Sequence, residues 1–241
     1  MKHFEYRLRT ARAGAVWLGL LVALAGAAGC APRAIRLGPE DLAALNRAAT
    51  VTLARHQPPA FAVQTPGNTT VGSVSGVSGG DLVFPGRAAG SAPIESEYGL
   101  DDPAIAARKT VLDALRFEAG VTAAPTEVPA PADDRVESLI ESAGRDGWVL
   151  DVRTLHWGLA ADPKLWTRYR VSLRARGRLV DVASGRTAWQ GFCDATESDA
   201  PIGSTMPELT ARDAEPLKAR LAAAGERCGR ALVEQMFSGV R

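Results

Sequence analysis

Between Arg168 and Val180, apolar and charged residues alternate: Tyr169, Val171, Leu173 and Ala175 stand at odd positions, Arg168, Arg170, Arg174, Arg176 and Arg178 at even ones. Only an extended strand sorts two such sets onto opposite faces, because its successive side chains point to opposite sides. A helix would mix them. The same alternation stands upstream, where Trp148, Leu150, Val152, Thr154 and His156 share one face while Asp151 and Arg153 share the other. After the turn-like run Asp181-Val182-Ala183-Ser184-Gly185-Arg186, Thr187 to Thr196 supplies a third strand. Three such strands in succession predict an antiparallel meander.

Helical signals flank it. Asp101-Asp102-Pro103 offers a cap and a first-turn proline, and Ile105, Leu112 and Leu115 continue the pattern to Gly120. Asp133 or Asp134 caps a second helix with the stripe Val136, Leu139, Ile140 and Ala143, stopped by Gly144. Pro216 to Phe237 closes the chain as a helix bearing Leu217, Leu221, Ala224, Cys228, Leu232 and Met236 on one face. Further upstream, 40–49 reads as a short helix, and Thr50 to Ala54 and Phe61 to Val63 as extended segments. Residues 66–90 form a Gly/Ser-rich loop, and 123–132, with Pro125, Pro129 and Pro131, an extended connection. The expected fold is α+β: an antiparallel or mixed sheet with a C-terminal three-strand meander and helices packed mainly on one face.

The block Gly147-Trp148-Val149-Leu150-Asp151-Val152, the hairpin Leu179 to Trp189 and the cysteine-bearing last helix resemble uncharacterised bacterial lipoproteins. More distantly, residues 100–237 resemble the small α/β domains of the curli-secretion lipoprotein and of the lipoprotein activators of penicillin-binding proteins. That resemblance implies the fold more than any activity.

The N-terminus carries an address. Lys2, Arg7, Arg9 and Arg12 precede an uncharged apolar run from Ala13 to Ala28, and Ala27-Ala28-Gly29 leads into Cys30. This layout resembles a bacterial lipoprotein signal, in which residues 1–29 are removed and the cysteine is acylated, palmitate included. By the same resemblance, Ala31 rather than Asp after the cysteine implies sorting to the outer membrane, facing the periplasm. Ala27 stands where such signals usually carry Leu. Two alternatives stay open: ordinary cleavage after Ala25-Gly26-Ala27, or an uncleaved anchor, for which the run falls short of the ~20 residues a span needs. Acyl chains would hold the protein on the membrane with no apolar surface of its own. The organisation expected is thus signal 1–29, tether and short helix 30–49, and one α+β domain over 50–241.

Loss of the signal turns 28 basic and 27 acidic residues into 24 and 26, so the mature chain is weakly acidic. Nucleic acid is not an expected partner on that balance; the expected partners are the membrane, through the lipid, and another envelope protein or glycan. With Cys30 assigned to lipid, Cys193 and Cys228 remain as an even pair, and a disulfide is the simplest reading in an oxidising compartment. No cofactor is expected, and no metal, since no histidine or cysteine lies at ligand spacing.

Three sets of residues suggest function. Gly76-Val77-Ser78-Gly79-Gly80 fits G-x-S-x-G with Ser78 as nucleophile, but such spacings arise by chance in a Gly/Ser-rich loop, and Pro85 bars a long helix after it. Arg168, Arg170, Arg174, Arg176 and Arg178 would align five guanidinium groups able to hold phosphate or carboxylate, unless cross-strand Asp151, Asp194 and Glu197 offset them. Trp157 and Trp166 flank an expected loop, Gly158 to Leu165, and are placed as a contact surface. The leading reading is a non-enzymatic envelope lipoprotein; a serine hydrolase and an anion binder are the alternatives.

Overall fold

The computed structural model describes residues 34–64, 93–131, 133–144, 146–162, 165, 167–197 and 203–238. Cys30, Ser78 and Trp166 lie outside them, as does the 66–90 segment. Eight strands are found among the described residues: β1 (Thr50–Arg55), β2 (Ala62–Val63), β3 (Thr122–Ala123), β4 (Val128–Pro129), β5 (Trp148–Ala161), β6 (Arg168–Asp181), β7 (Arg186–Asp194) and β8 (Ser204–Thr205). The helices are α1 (Pro39–Ala48), α2 (Ile94–Tyr98), α3 (Ala104–Ala119), α4 (Val136–Ala143) and α5 (Met206–Phe237).

β5, β6 and β7 form the expected antiparallel meander, and β1 adds to β5 in parallel. The order β3-β1-β5-β6-β7 makes the sheet mixed, with β2, β4 and β8 extending β5, β1 and β6. Two short stretches at and within the Pro-rich connection, β3 and β4, lie along β1 in parallel. At the other edge, Ile35 bridges the backbone of Gln190 on β7 through two hydrogen bonds of 2.9 Å.

One residue decides which way β5 faces. Thr154 stands opposite Ala175 and His156 opposite Arg174, so Leu155 has no partner on β6. Such a bulge reverses the alternation beyond it. Before it Trp148, Leu150 and Val152 join the core; after it Trp157 and Leu159 do, opposite Leu173 and Val171. His156, expected beside Trp148 and Leu150, is therefore corrected to the arginine side of the sheet. The expected loop over Gly158 to Leu165 is corrected too, because β5 continues to Ala161.

Helices α3 and α5 cover the apolar face, and Val111, Leu115, Leu173, Leu179, Trp189, Leu217, Leu221 and Leu232 are buried between them and the sheet. A smaller cluster of Ala54, Leu139, Val149, Val180 and Val182 lies on the opposite face under α4. Gly225 and Gly229 let α3 and α5 touch: a Cβ on Gly225 would sit 2.4 Å from the Pro103 carbonyl oxygen, and one on Gly229 2.5 Å from Thr110 Cβ. Backbone cannot yield as a side chain does. Gly225→Leu is expected to destabilise the fold by about 3 kcal/mol through overpacking, read as a lower urea midpoint; an unchanged midpoint would mean that the helices separate freely.

The C-terminal helix is broken near its start. Thr205 and Glu208 form a capping box, but Ala211 is extended and Arg212, Asp213 and Ala214 adopt left-handed φ values of 52°, 57° and 57°. The regular helix follows, close to the start expected at Pro216. Each left-handed residue with a Cβ costs about 1–2 kcal/mol, whereas the exposed Arg212–Glu215 pair at 3.4 Å contributes little. Arg212→Gly should thus raise stability by about 1 kcal/mol. Urea denaturation would check it, and a loss of stability would contradict the strain.

Candidate functional site

The regular alternation of β6 places its five arginines on one face, yet each already meets a carboxylate. Arg168 lies 3.9 Å from Glu208, Arg170 2.8 Å from Asp162 and Arg174 3.0 Å from Asp194. Arg176 contacts Asp134 at 2.5 Å and Asp151 at 3.2 Å, while Arg178 contacts Asp151 at 2.6 Å and Asp134 at 3.4 Å. The expectation of an open anion-binding row is corrected accordingly. Arg176 and Arg178 are only 4 % exposed, since α4 and the Asp134 loop before it close over that end of the face.

At the centre of this network is Asp151, fully buried on β5. Burial alone would raise its pKa, but a hydrogen bond from His56 and the charges of Arg178, His56 and Arg176 hold it down at about 2. Asp134 is lowered for a similar reason: burial opposes, while the Arg176 hydrogen bond and the charges of Arg176, Arg153 and Arg178 prevail. His156, now on this face, is pushed down by burial first and by Arg174 second, against Asp194.

His56 follows directly on β1, which the parallel register sets beside β5, and its Nε2 bonds Asp151 Oδ1. An ionised carboxylate only accepts, so Nε2 carries the proton. The ring's Nδ1 has no partner among the described residues. His56 also lines an open cleft of about 400 Å³ between the end of β1 and the start of α3. Most polar groups there are committed. Arg108 donates to the Ala54 carbonyl at 2.9 Å and pairs with Glu127 at 2.8 Å; Asp102 accepts from Thr154 Oγ1 at 2.5 Å and from the Ala104 amide at 2.9 Å. The exposed side chains of Arg55 and Asp101 make no ion pair or hydrogen bond among the described residues.

Trp157 is corrected as a contact residue. Its indole is 1 % exposed, donates to the Pro59 carbonyl at 2.6 Å and stacks edge-on with Phe61 at 5.0 Å. The bulge that turns it inward leaves no trace in the alternation. Cys193 on β7 and Cys228 on α5 stand at disulfide distance, with Cα atoms 5.5 Å apart. Among the described residues no three His, Cys, Asp or Glu side chains are grouped to hold a metal, and no helix is long and apolar enough to cross a membrane. The His56–Asp151 pair escaped sequence reasoning because its members lie on separate strands with no motif joining them.

No protein-family model and no curated protein matches this chain. Among solved structures, PelC of Paraburkholderia phytofirmans, a dodecamer, is 13 % identical, with a TM-score of 0.31 over 82 % of this chain and 95 % of that one. The hypothetical protein CT253 of Chlamydia trachomatis is 11 % identical, with a TM-score of 0.34 over 77 % and 97 %.

Proposed function

We propose that this chain is a lipid-anchored protein of the bacterial outer membrane that faces the periplasm. It acts through contacts with another envelope protein or a glycan, made by the meander and its loops. The observation that carries the reading is the pairing of Cys193 with Cys228 at disulfide distance. Such pairs persist in oxidising compartments and are rare in reducing ones, and the signal-like segment ending at Cys30 leads to such a compartment.

Mass spectrometry of the protein extracted from its native membrane tests the anchor: the N-terminal peptide should begin at Cys30 and carry acyl chains. Cys30→Ala should move the protein from the membrane to the soluble fraction, since lipid supplies the attachment. An unmodified, soluble wild-type product would overturn the reading. Crosslinking in cells then identifies the partner.

A further inference from the structure

The cleft beside His56 leaves two charged groups uncommitted among the described residues, and they define what would fill it. Arg55 is a cation without an anion, and Asp101 is an anion without a cation. The remaining charges are internally matched, Arg108 by Glu127 and Asp102 by Thr154 and the Ala104 amide. Pro58, Leu100 and Ile105 add apolar wall. One spare cation and one spare anion call for a ligand with one anionic group and one cationic donor, and a cleft of about 400 Å³ suits a small molecule.

We propose that this cleft binds a small zwitterion, of the class of a short peptide or amino acid with free termini. Its carboxylate lies against Arg55 and its ammonium against Asp101, with the His56 ring beside them in the cleft wall. A guanidinium can grip a carboxylate through two parallel hydrogen bonds, and an ammonium makes a charge-assisted hydrogen bond to a carboxylate. The site does not depend on how the chain is anchored, so it stands or falls apart from the fate of Cys30.

The test uses the full-length protein in detergent, labelled with nitrogen-15 at histidine, and titrates it with L-alanyl-L-alanine, its N-acetyl form, its C-terminal amide and free alanine. The free dipeptide should shift the His56 Nδ1 resonance, identified by its loss in His56→Gln, with a Kd below about 1 mM. Acetylation and amidation should each weaken binding about tenfold, the effect of losing one charged hydrogen bond. Arg55→Gln should weaken the free dipeptide by the same factor and abolish the difference between acid and amide. Asp101→Asn should do so for the acetyl group. Both side chains are exposed, so neither variant disturbs folding, and free alanine tests whether both charges must lie on one residue or span a peptide. The proposal is overturned if the dipeptide leaves His56 unmoved, if the blocked forms bind equally well, or if both variants bind as wild type does.

Discussion

Asp151→Asn is expected to destabilise the protein by about 3–5 kcal/mol, the range found when one partner of a buried ion pair is removed. The substitution is nearly isosteric, so the effect is electrostatic. Arg176 and Arg178, both 4 % exposed, would keep their charges with only Asp134 to share. His56 would lose the carboxylate that fixes its proton on Nε2. Urea unfolding at neutral pH measures the loss. If Asp151→Asn unfolds at the wild-type midpoint, the carboxylate is not what holds these guanidinium groups. Replacing Asp151, Arg176 and Arg178 together by apolar residues of similar volume should cost much less than the single change, because no buried charge is then stranded.

The same residue gives the protein an acid limit. The folded pKa of Asp151, about 2, lies below its ordinary 3.8, so its contribution is fully present above about pH 4 and is lost as pH falls through about 2. A depression of that size corresponds to about 2 kcal/mol. Wild-type stability should decline over that window, and in Asp151→Asn this part of the decline should vanish.

The second large effect is expected from Cys193→Ala with Cys228→Ala, at about 3–4 kcal/mol. The pair closes a loop of 35 residues, and in the chain-entropy account a loop of that length restricts the unfolded ensemble by that amount. The two sulfurs join β7 to the middle of α5. Further along, Gln235 donates to the Phe192 carbonyl at 2.7 Å and accepts from the Phe192 amide at 3.1 Å. Helix and strand should therefore stay docked in the double variant while its melting temperature falls. A reductant should lower the wild type to the same value and leave the variant unmoved; a wild type indifferent to reductant would show the thiols unbonded.

Much of this architecture is legible in the chain because it depends on local periods. The alternation of β6 holds through its whole length, the stripe of α5 meets the core at Leu217, Leu221, Cys228 and Leu232, and the two cysteines lie on the elements expected to carry them. What was hidden depends on pairing. Leu155 reverses β5 without altering the pattern on either side of it, so His156 and Trp157 exchange faces relative to a strict count. For the arginine row the alternation already offers Asp151 and Asp194 as partners, but Asp134 and Asp162, which lie outside the meander's alternation, are brought against it only by the fold. His56 sits beside two prolines with no ligand-like neighbour in sequence, and only the parallel addition of β1 to β5 brings it to Asp151.

The outer edge of β7 has one more consequence. An unpaired edge is an invitation for another chain to add a strand, the first step of edge-to-edge aggregation. Here Ile35 occupies the backbone of Gln190 and the Gln235 amide occupies that of Phe192. Two backbone positions on the outer edge of the meander's last strand are therefore already taken by its own chain, which shortens the stretch left open for another strand to add.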